Sequence, residues 1–285
     1  MHEGLSCTRS WKDMNRASFF RPDWSRSFIA PALVALLTMT TTSNTALAGE
    51  TFRLVSYNIH HGEGMDRKLD LGRIAGFLKA QQPDVVALQE VDRNCGRTGK
   101  VDQVAELARL TGMTATFQKA MDYDGGEYGI CFLTKAVPLE SKGIILPPGG
   151  EPRVGQTVKV PAFGGNLTVA NTHLDFAKGA ARLNQAQALL KALGEGPGPV
   201  LLAGDFNAVR GGEVMTAVTA AGWAVPVKQG PAATIPSPKP DREIDFAVFR
   251  PSTALKVLKY SVLGEAVFSD HRAILIEVTL PSPKE

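Results

Sequence analysis

The sequence predicts a layered domain of mixed α and β structure. Two observations support this prediction: short apolar runs with strand character recur along the chain, and helical patterns separate only some of them. Strict alternation of strands and helices is typical of a purely parallel, doubly wound sheet. Because the strands outnumber the helices and do not alternate strictly with them, a mixed layered domain fits better.

Residues 1–48 have the order of a secretory signal peptide. Basic residues precede the apolar run "FIAPALVALLTM" (28–39), and a small-residue stretch ends in "ALA" at 46–48. An apolar run of this length is short for a membrane span. We therefore expect cleavage near Ala48 and a periplasmic or secreted protein. A membrane anchor formed by the uncleaved segment is the alternative.

Residues 49–285 are numerous enough for one domain with a well-buried core. They contain neither an internal repeat nor a low-complexity tail, and the Pro-rich stretch 230–245 is interpreted as a loop between strands. The domain is therefore predicted to be single. Its apolar, strand-like runs are 52–57, 84–89, 167–172, 199–204, 245–249 and 273–280.

Three segments show helical periodicity. The first, 69–81, places its apolar side chains on one face and is followed by Pro83 as a stop signal. The second, 101–110, and the third, 181–193, are each followed by a glycine, a common helix-terminating residue.

Outside the leader the chain is almost neutral. The leader holds five of the 31 basic and three of the 28 acidic residues, which leaves a net charge of +1 from Gly49 onward. Proteins that bind long nucleic acids usually have a strong basic excess, so nucleic acid is not the favoured partner. Of the two remaining cysteines, Cys131 falls in a predicted strand, and no Cys-x-x-Cys pair is present. We expect Cys95 and Cys131 to be free thiols, with a disulfide between them outside the cytoplasm as the alternative, and we expect no structural zinc site.

Polar residues follow the apolar runs at six places, as if one edge of a sheet system were lined with them. All four histidines outside the leader lie at such positions. An ordinary turn explains any one of these residues, but not all of them together. The residues concerned are Asn58, His60, His61, Glu90, His173, Asp175, Asp205, Asn207, Asp245, Asp270 and His271.

These residue types suit phosphoryl transfer. Carboxylate and amide oxygens favour Mg²⁺, with Mn²⁺ or Ca²⁺ as alternatives. Zinc would require three or four His or Cys ligands, and the sequence has no His-x-x-x-His pair. Histidines can donate to phosphate oxygens or transfer protons, each held by a carboxylate that fixes its tautomer. Metal, donors and an activated water are what phosphoryl transfer needs.

In this order, "SYNIHHG", "ALQEVDR", "NTHLD", "GDFN", "REIDF" and "SDH" resemble the motifs of the endonuclease/exonuclease/phosphatase superfamily. The resemblance extends from about Phe52 to Leu280. It implies an α+β fold of two packed β-sheets flanked by helices, a four-layer α/β/β/α sandwich with the site at one end. It also implies a metal-dependent phosphoric ester hydrolase, of a superfamily that includes nucleases, sphingomyelinases and inositol-phosphate phosphatases.

The resemblance also implies a metal site. Glu90 would be the principal Mg²⁺ ligand, with Asn58 beside it. Asp270 would support the metal site or the attacking water.

The catalytic roles implied by the resemblance fall on five residues. Asp205 would orient or activate the attacking water, and Asn207 would hold the scissile phosphate. His173 and His271 would bracket that phosphate, with Asp245 orienting His271. The resemblance leaves open whether Asp205 or His271 is the general base.

The chain departs from the superfamily pattern at two places. Ile130, within "EYGICFLTK" (127–135), stands where relatives often have an asparagine, which makes Tyr128 the substitute candidate for a phosphate contact. His60 stands where many relatives have an acidic residue or arginine, and it would assist the metal or touch substrate. Arg97 would meet an anionic substrate beyond Glu90, with a solvated basic loop as the alternative.

Together these observations predict a secreted or periplasmic Mg²⁺-dependent phosphodiesterase that works as a monomer. The alternative is a non-catalytic module that binds a phosphorylated ligand on the same fold. The substrate is left open among nucleic acid, a lipid head group and a small phosphodiester. The apolar segments 143–152 and 231–238 are candidates for peripheral lipid contact, or are ordinary loops.

Overall fold

The computed structural model describes residues 49–280, except 195, 197 and 252, and these residues belong to one compact unit. They form two β-sheets packed face to face, with two helices on the outer face of each. This architecture confirms the four-layer sandwich. The predicted signal peptide, 1–48, lies outside the described residues. No helix in the described part of the chain is long and apolar enough to cross a membrane.

The first sheet has six strands in the order β10-β11-β1-β2-β4-β3. Strands β1 and β2 are parallel, and the other neighbours are antiparallel. The strands are β1 (Phe52–Asn58), β2 (Val85–Arg93), β3 (Thr114–Tyr123), β4 (Gly126–Thr134), β10 (Lys256–Val262) and β11 (Ile274–Thr279).

The second sheet has five strands in sequence order, β5-β6-β7-β8-β9. Strands β7 and β8 are parallel, and β5, β6 and β9 run antiparallel to their neighbours. The strands are β5 (Glu140–Ile145), β6 (Val154–Ala162), β7 (Gly165–His173), β8 (Val200–Asp205) and β9 (Asp245–Arg250).

The helices are α1 (Leu71–Ala80), α2 (Gln103–Thr111), α3 (Gly179–Gly194) and α4 (Glu213–Ala220). Strand residues alternate between the inter-sheet core and a helix-facing core, as the two-residue period of a strand requires: Leu54 belongs to the first and Val55 to the second. Helices α1 and α2 cover the six-stranded sheet, and α3 and α4 cover the five-stranded one.

Local sequence explains where the first two helices begin. The side chains of Asp70 and Asp102 each accept a hydrogen bond from a first-turn N–H, at Arg73 and Ala105, which caps α1 and α2. Gly112 ends α2 in the left-handed conformation, with φ +73°.

Some elements were not predicted from the sequence. Strands β3 and β5 lie at the edges of their sheets; β3 is mostly half-buried and β5 is exposed, so neither has the apolar pattern of a buried strand. Strands β6 and β10 and the short helix α4 were also missed. The Pro-rich segment 230–245 is a loop up to the start of β9, as predicted. Among the described residues both cysteines, Cys95 and Cys131, are buried free thiols, as predicted.

A polar link joins the two sheets beneath the site. Asn171 on β7 donates from Nδ2 to the carbonyl oxygen of Leu88 on β2, at 2.9 Å, and its Oδ1 accepts from Gln89 Nε2 at 2.7 Å. All of these groups are buried. The link ties the end of β7 to the part of β2 that precedes Glu90, so both sheets are held together where the polar strand ends meet.

Candidate active site

Strand register aligns three of the predicted residues in a row. His173 at the end of β7 pairs with Asp205 at the end of β8, and Asp205 pairs with Asp245 at the start of β9. Neighbouring strands lie about 4.8 Å apart, so these side chains are close neighbours. All three are almost fully buried. The five-stranded sheet thus supplies an Asp flanked by a His and a second Asp.

The six-stranded sheet supplies Asn58 and Glu90. Glu90 does not follow β2, as the sequence suggested, but lies inside it, at a bulge between Leu88 and Val91 where its φ is +57°. A bulge re-aims a side chain. Asn58 Nδ2 donates to Glu90 Oε1 at 2.9 Å and to Asp205 Oδ2 at 3.2 Å. Asn58 therefore connects residues of the two sheets.

These side chains surround a cavity of about 430 Å³ at this end of the sandwich. Asn58 and Asp245 do not line the cavity themselves. They contact residues that do: Asn58 donates to Glu90 and Asp205, and Asp245 lies against His271. The predicted residues that line the cavity are His60, Glu90, Arg97, Tyr128, His173, Asp205, Asn207, Asp270 and His271. The structure thus brings together every residue to which the resemblance assigned a metal, catalytic or substrate role, whereas His61 and Asp175 do not line the cavity.

His271 is held by a carboxylate. Its Nδ1 lies 2.9 Å from Asp245 Oδ2, and its Nε2 lies 3.7 Å from Asp205 Oδ2. Burial works against a charged imidazole, but the negative charges of Asp245 and Asp205 outweigh it and raise the pKa of His271 to about 10. His271 is therefore an imidazolium at neutral pH, with Nδ1–H donated to Asp245 and Nε2–H directed into the site.

His173 is held by an arginine instead. Arg153 Nη1 lies 2.9 Å from His173 Nδ1, and a guanidinium can only donate, so Nδ1 accepts and the ring proton is on Nε2. Burial, the charge of Arg153 and that of His271 hold the pKa of His173 well below its usual value. The expectation that a carboxylate fixes the tautomer of each histidine is therefore wrong for His173.

Asp205 lies between the two rings. Its Oδ2 is 3.5 Å from His173 Nε2, and its Oδ1 accepts from the backbone N–H of Asn207 at 2.8 Å. Burial raises the pKa of Asp205 to about 7, against the opposing charge of His271 and with the help of the Asp245 carboxylate. A carboxylate with a pKa near neutrality can take up and release a proton under physiological conditions.

Asn207 and Asp270 are positioned by loop contacts. Asn207 has a φ of +49° and donates from Nδ2 to the carbonyl oxygen of Leu174 at 3.0 Å. Ser269 Oγ donates to the carbonyl oxygen of Asn58 at 2.7 Å and accepts from His271 N–H at 3.1 Å. Through Ser269 the loop that carries Asp270 and His271 is fixed against the end of β1.

The three predicted substrate contacts differ in how free their polar groups are. His60 Nδ1 donates to the carbonyl oxygen of Glu63 at 3.1 Å, which leaves Nε2 with a lone pair. Arg97 makes a bidentate ion pair with buried Asp92, at 2.7 and 2.8 Å, so its charge is largely neutralised. Tyr128 is buried, with its hydroxyl group 3.5 Å from Arg153 Nη1.

Two residue sets have the chemistry to hold a divalent cation. Asp205, Asp245 and His271 place one ligand atom each within 4.8 Å of one another; a cation bound there would displace the proton of His271, whose pKa the two carboxylates raise. Glu90 and Asp270 offer half-buried carboxylates, which fit Mg²⁺. Asn58 would have to turn its amide over to join them, since its Oδ1 accepts from His60 N–H at 3.0 Å.

Sequence reasoning missed the residues that support this constellation. Lys228 is buried and donates to the carbonyl oxygen of Asp245 at 2.8 Å. Arg153 lies in "EPRVGQ", where nothing in the local pattern marks it. Asn171 and Gln89 did carry a signal, because each interrupts an apolar run. Asp175, one of the polar strand-end residues, accepts backbone N–H bonds from the segment 150–151 and from Ala177 and Lys178, and so organises loops.

The model of the endonuclease/exonuclease/phosphatase family matches residues 55–271. The chain belongs to this family. Its members are phosphoric ester hydrolases that are generally dependent on divalent metals. The enzyme class predicted from the sequence is therefore confirmed, and a non-catalytic module is not favoured. No curated protein sequence matches the chain significantly.

Solved structures share the fold at low sequence identity. The endonuclease/exonuclease/phosphatase structure from Beutenbergia cavernae is 24% identical, with a TM-score of 0.68 over 81% of this chain and 72% of that one. Mannosyl-6-phosphatase from Bacteroides thetaiotaomicron is 19% identical (TM-score 0.66; 80% and 100% covered). The human nocturnin catalytic domain is 20% identical (TM-score 0.65; 83% and 96%). At these identities the likeness shows the fold alone.

Proposed function

We propose that this family member is a Mg²⁺-dependent phosphodiesterase that acts outside the cytoplasm. The observation that carries the proposal is the placement of Asp205 between a charged and a neutral histidine, with Asn58 linking it to Glu90. In a phosphodiester the leaving group benefits from protonation. The phosphate group carries a single negative charge that must be stabilised. One imidazolium beside one neutral donor fits both needs.

In the proposed reaction Asp205 is the general base. A water molecule loses a proton to Asp205 as its oxygen bonds to phosphorus, and the leaving-group oxygen takes a proton from His271 Nε2 as its bond to phosphorus breaks. The pKa of Asp205, about 7, suits the first transfer, and the raised pKa of His271 beside Asp245 supports its role as the proton donor. His173 Nε2–H and Asn207 donate to the non-bridging phosphate oxygens.

Glu90 and Asp270 are the proposed cation ligands, with His60 Nε2 available at the same cavity. A bound Mg²⁺ would supply charge neutralisation for the phosphoryl oxygens. Mn²⁺ or Ca²⁺ would serve as alternatives that also accept oxygen ligands.

The proposed location rests on the N-terminal sequence. The order of basic, apolar and small residues over 1–48 supports export with cleavage near Ala48, and retention by that segment as an anchor is the alternative. N-terminal sequencing of the protein recovered from the periplasm or medium checks it, since an exported and processed chain would begin near Gly49.

The test is hydrolysis of bis(4-nitrophenyl) phosphate and of 4-nitrophenyl phosphate by the purified protein, with Mg²⁺ and with EDTA. We expect Mg²⁺-dependent cleavage of the diester in preference to the monoester. Glu90→Ala should lower kcat/KM at least about 100-fold, which corresponds to about 3 kcal/mol. Mn²⁺ binding followed by electron paramagnetic resonance should weaken in the same variant.

The matched control is Glu277→Ala, which removes a partly buried glutamate on β11 that pairs with Arg53. It should retain activity and Mn²⁺ affinity. Full activity of Glu90→Ala with an unchanged circular dichroism spectrum would remove Glu90 from the metal site. Equal activity with EDTA and with Mg²⁺ would overturn metal dependence.

A further inference from the structure

A second cavity adjoins the active site. It has a volume of about 700 Å³ and lies where the two edge strands β3 and β5 approach each other, under the segment 146–153. Gly143 on β5 is so close to Gln118 on β3 that an added Cβ would collide with the Gln118 side chain. Most of the side chains that line this groove are apolar: Ala120, Ile145, Leu146, Pro148, Pro152 and Val154.

The groove is pre-formed. Asp175 accepts hydrogen bonds from the backbone N–H groups of Gly150 and Glu151, and Gln185 Nε2 donates to the carbonyl oxygen of Pro147 at 3.1 Å. These bonds tie the covering segment to two buried residues, Asp175 in the connection between β7 and α3 and Gln185 within α3. Three prolines in the segment, Pro147, Pro148 and Pro152, restrict it further. A ligand would therefore enter an existing cavity and would not have to order a loop.

Ile145 is a large apolar side chain of this groove that is exposed to solvent. It is the last residue of β5 and is 88% exposed. A single exposed aliphatic residue is ordinary, but here it continues the apolar lining of a concave surface, which is typical of a ligand site.

Arg153 connects the groove to the active site. Its side chain lines both cavities and is almost fully buried, with Nη1 on His173 Nδ1 at 2.9 Å and Nη2 on Glu151 at 2.6 Å. Its Nε–H has no hydrogen-bond partner among the described residues. A phosphoester bound at His173 would therefore be separated from the groove by one side chain, that of Arg153.

The charge of the groove excludes an extended nucleic acid strand as its occupant. A polynucleotide requires cations along its phosphates. The lining has two cationic side chains, and both are paired: Lys119 with Asp122 at 2.6 Å and with Glu127 at 3.5 Å, and Arg153 with Glu151 at 2.6 Å. An uncharged, apolar group is the chemistry that this lining matches.

We propose that the groove binds an apolar substituent of the phosphoester, so that the preferred substrates carry an alkyl, acyl or similar apolar group on the phosphate. This inference rests on the proposed function, because the phosphate itself must sit at the catalytic cavity. It assigns the segment 143–152 to contact with the substrate molecule, and not to general attachment to a membrane surface.

The test is calorimetric binding of methyl-, butyl- and hexylphosphonate to the protein in Mg²⁺. These probes are not hydrolysed, so their binding does not depend on turnover. We expect the affinity to rise about two- to fourfold for each added methylene, up to the limit set by burial of about 0.8 kcal/mol per CH₂. Ile145→Asp should flatten this dependence and leave methylphosphonate binding unchanged.

The matched control is Val227→Asp, which places the same charge at another exposed aliphatic residue that does not line the groove. It should keep the wild-type dependence on chain length. A flat dependence in the wild type, an unaltered slope in Ile145→Asp, or no binding of hexylphosphonate would each overturn the assignment. Absence of diester hydrolysis with a retained slope would overturn the proposed catalysis and leave the groove assigned.

Discussion

The two histidines that face Asp205 are built in opposite ways. On the β9 side, His271 Nδ1 lies 2.9 Å from a carboxylate, and on the β7 side, His173 Nδ1 lies 2.9 Å from a guanidinium. The same residue type is therefore charged in one case and neutral in the other. Proximity to the substrate position does not decide the charge of a buried histidine; the partner of its second nitrogen does.

The asymmetry has an electrostatic reason. Two imidazolium groups this close to Asp205 would repel each other, and the charge of His271 indeed helps to hold down the pKa of His173. A single cation together with a neutral N–H donor avoids that repulsion. This arrangement also gives the two histidines different roles: His271 can give up a proton, whereas His173 can only donate a hydrogen bond.

The largest expected effect comes from removing the charged side. His271→Ala should lower kcat/KM for the diester at least about 100-fold, or about 3 kcal/mol, because the leaving group loses its proton donor and Asp205 loses the adjacent positive charge. Steady-state kinetics with bis(4-nitrophenyl) phosphate measure this, with circular dichroism to verify the fold.

The control for His271→Ala is His61→Ala. His61 neighbours His60 but does not line the cavity, so its removal should change kcat/KM less than about threefold. Near-normal turnover in a well-folded His271→Ala protein would mean that His271 is not the general acid. The difference in charge between His271 and His173 would then have no role in catalysis.

A smaller effect is expected on the neutral side. Arg153→Met removes the donor to His173 Nδ1, so the tautomer is no longer fixed, and kcat should fall about tenfold, or about 1.4 kcal/mol. Because burial persists while the positive charge is lost, the pKa of His173 should rise but stay below its ordinary value. Nitrogen-15 chemical shifts of the imidazole, followed against pH, measure both the tautomer and the pKa.

Arg153→Lys provides the comparison, since it keeps a positive donor without the planar fork. It should restore much of the lost kcat and keep the pKa of His173 low. If Arg153→Met left the proton on Nε2 and the pKa unchanged, the guanidinium would not be what distinguishes the two histidines.

The sequence predicted the surroundings of the charged histidine, His271, better than those of the neutral histidine, His173. Asp205, Asp245 and His271 each stand next to an apolar run in a short motif, and the strand register then fixes their proximity. Arg153 follows a proline-rich segment, and its contact with His173 depends on the pairing of β6 with β7. The hairpin of β6 and β7 brings Arg153 and His173 together although they are 20 residues apart, and nothing in the local pattern around Arg153 marks that contact.

Glu90 shows a second limit of the sequence. The residue was identified, but its position was predicted as the end of β2, and the structure has it in a bulge in the middle of that strand. The edge strands β3 and β5 show a third limit, because a half-buried or exposed edge strand needs no fully apolar face. The layered architecture was predictable because buried strands and helices do carry that pattern.

The smallest effect on kcat/KM is expected from substitution of Tyr128. It tests whether Tyr128 helps Arg153 to hold the neutral histidine, His173. The hydroxyl group lies 3.5 Å from Arg153 Nη1, at the long limit for a hydrogen bond. Tyr128→Phe keeps the ring beside Arg97, whose Cζ is 5.5 Å from the ring centroid.

If the hydroxyl only supports Arg153, kcat/KM should fall about twofold and the tautomer of His173 should not change. A tenfold rise in KM at constant kcat would instead place the hydroxyl on the substrate, because a contact made equally in the ground and transition states affects KM alone. The same kinetic assay that follows Arg153→Met therefore decides whether Tyr128 belongs to the support of His173 or to substrate binding.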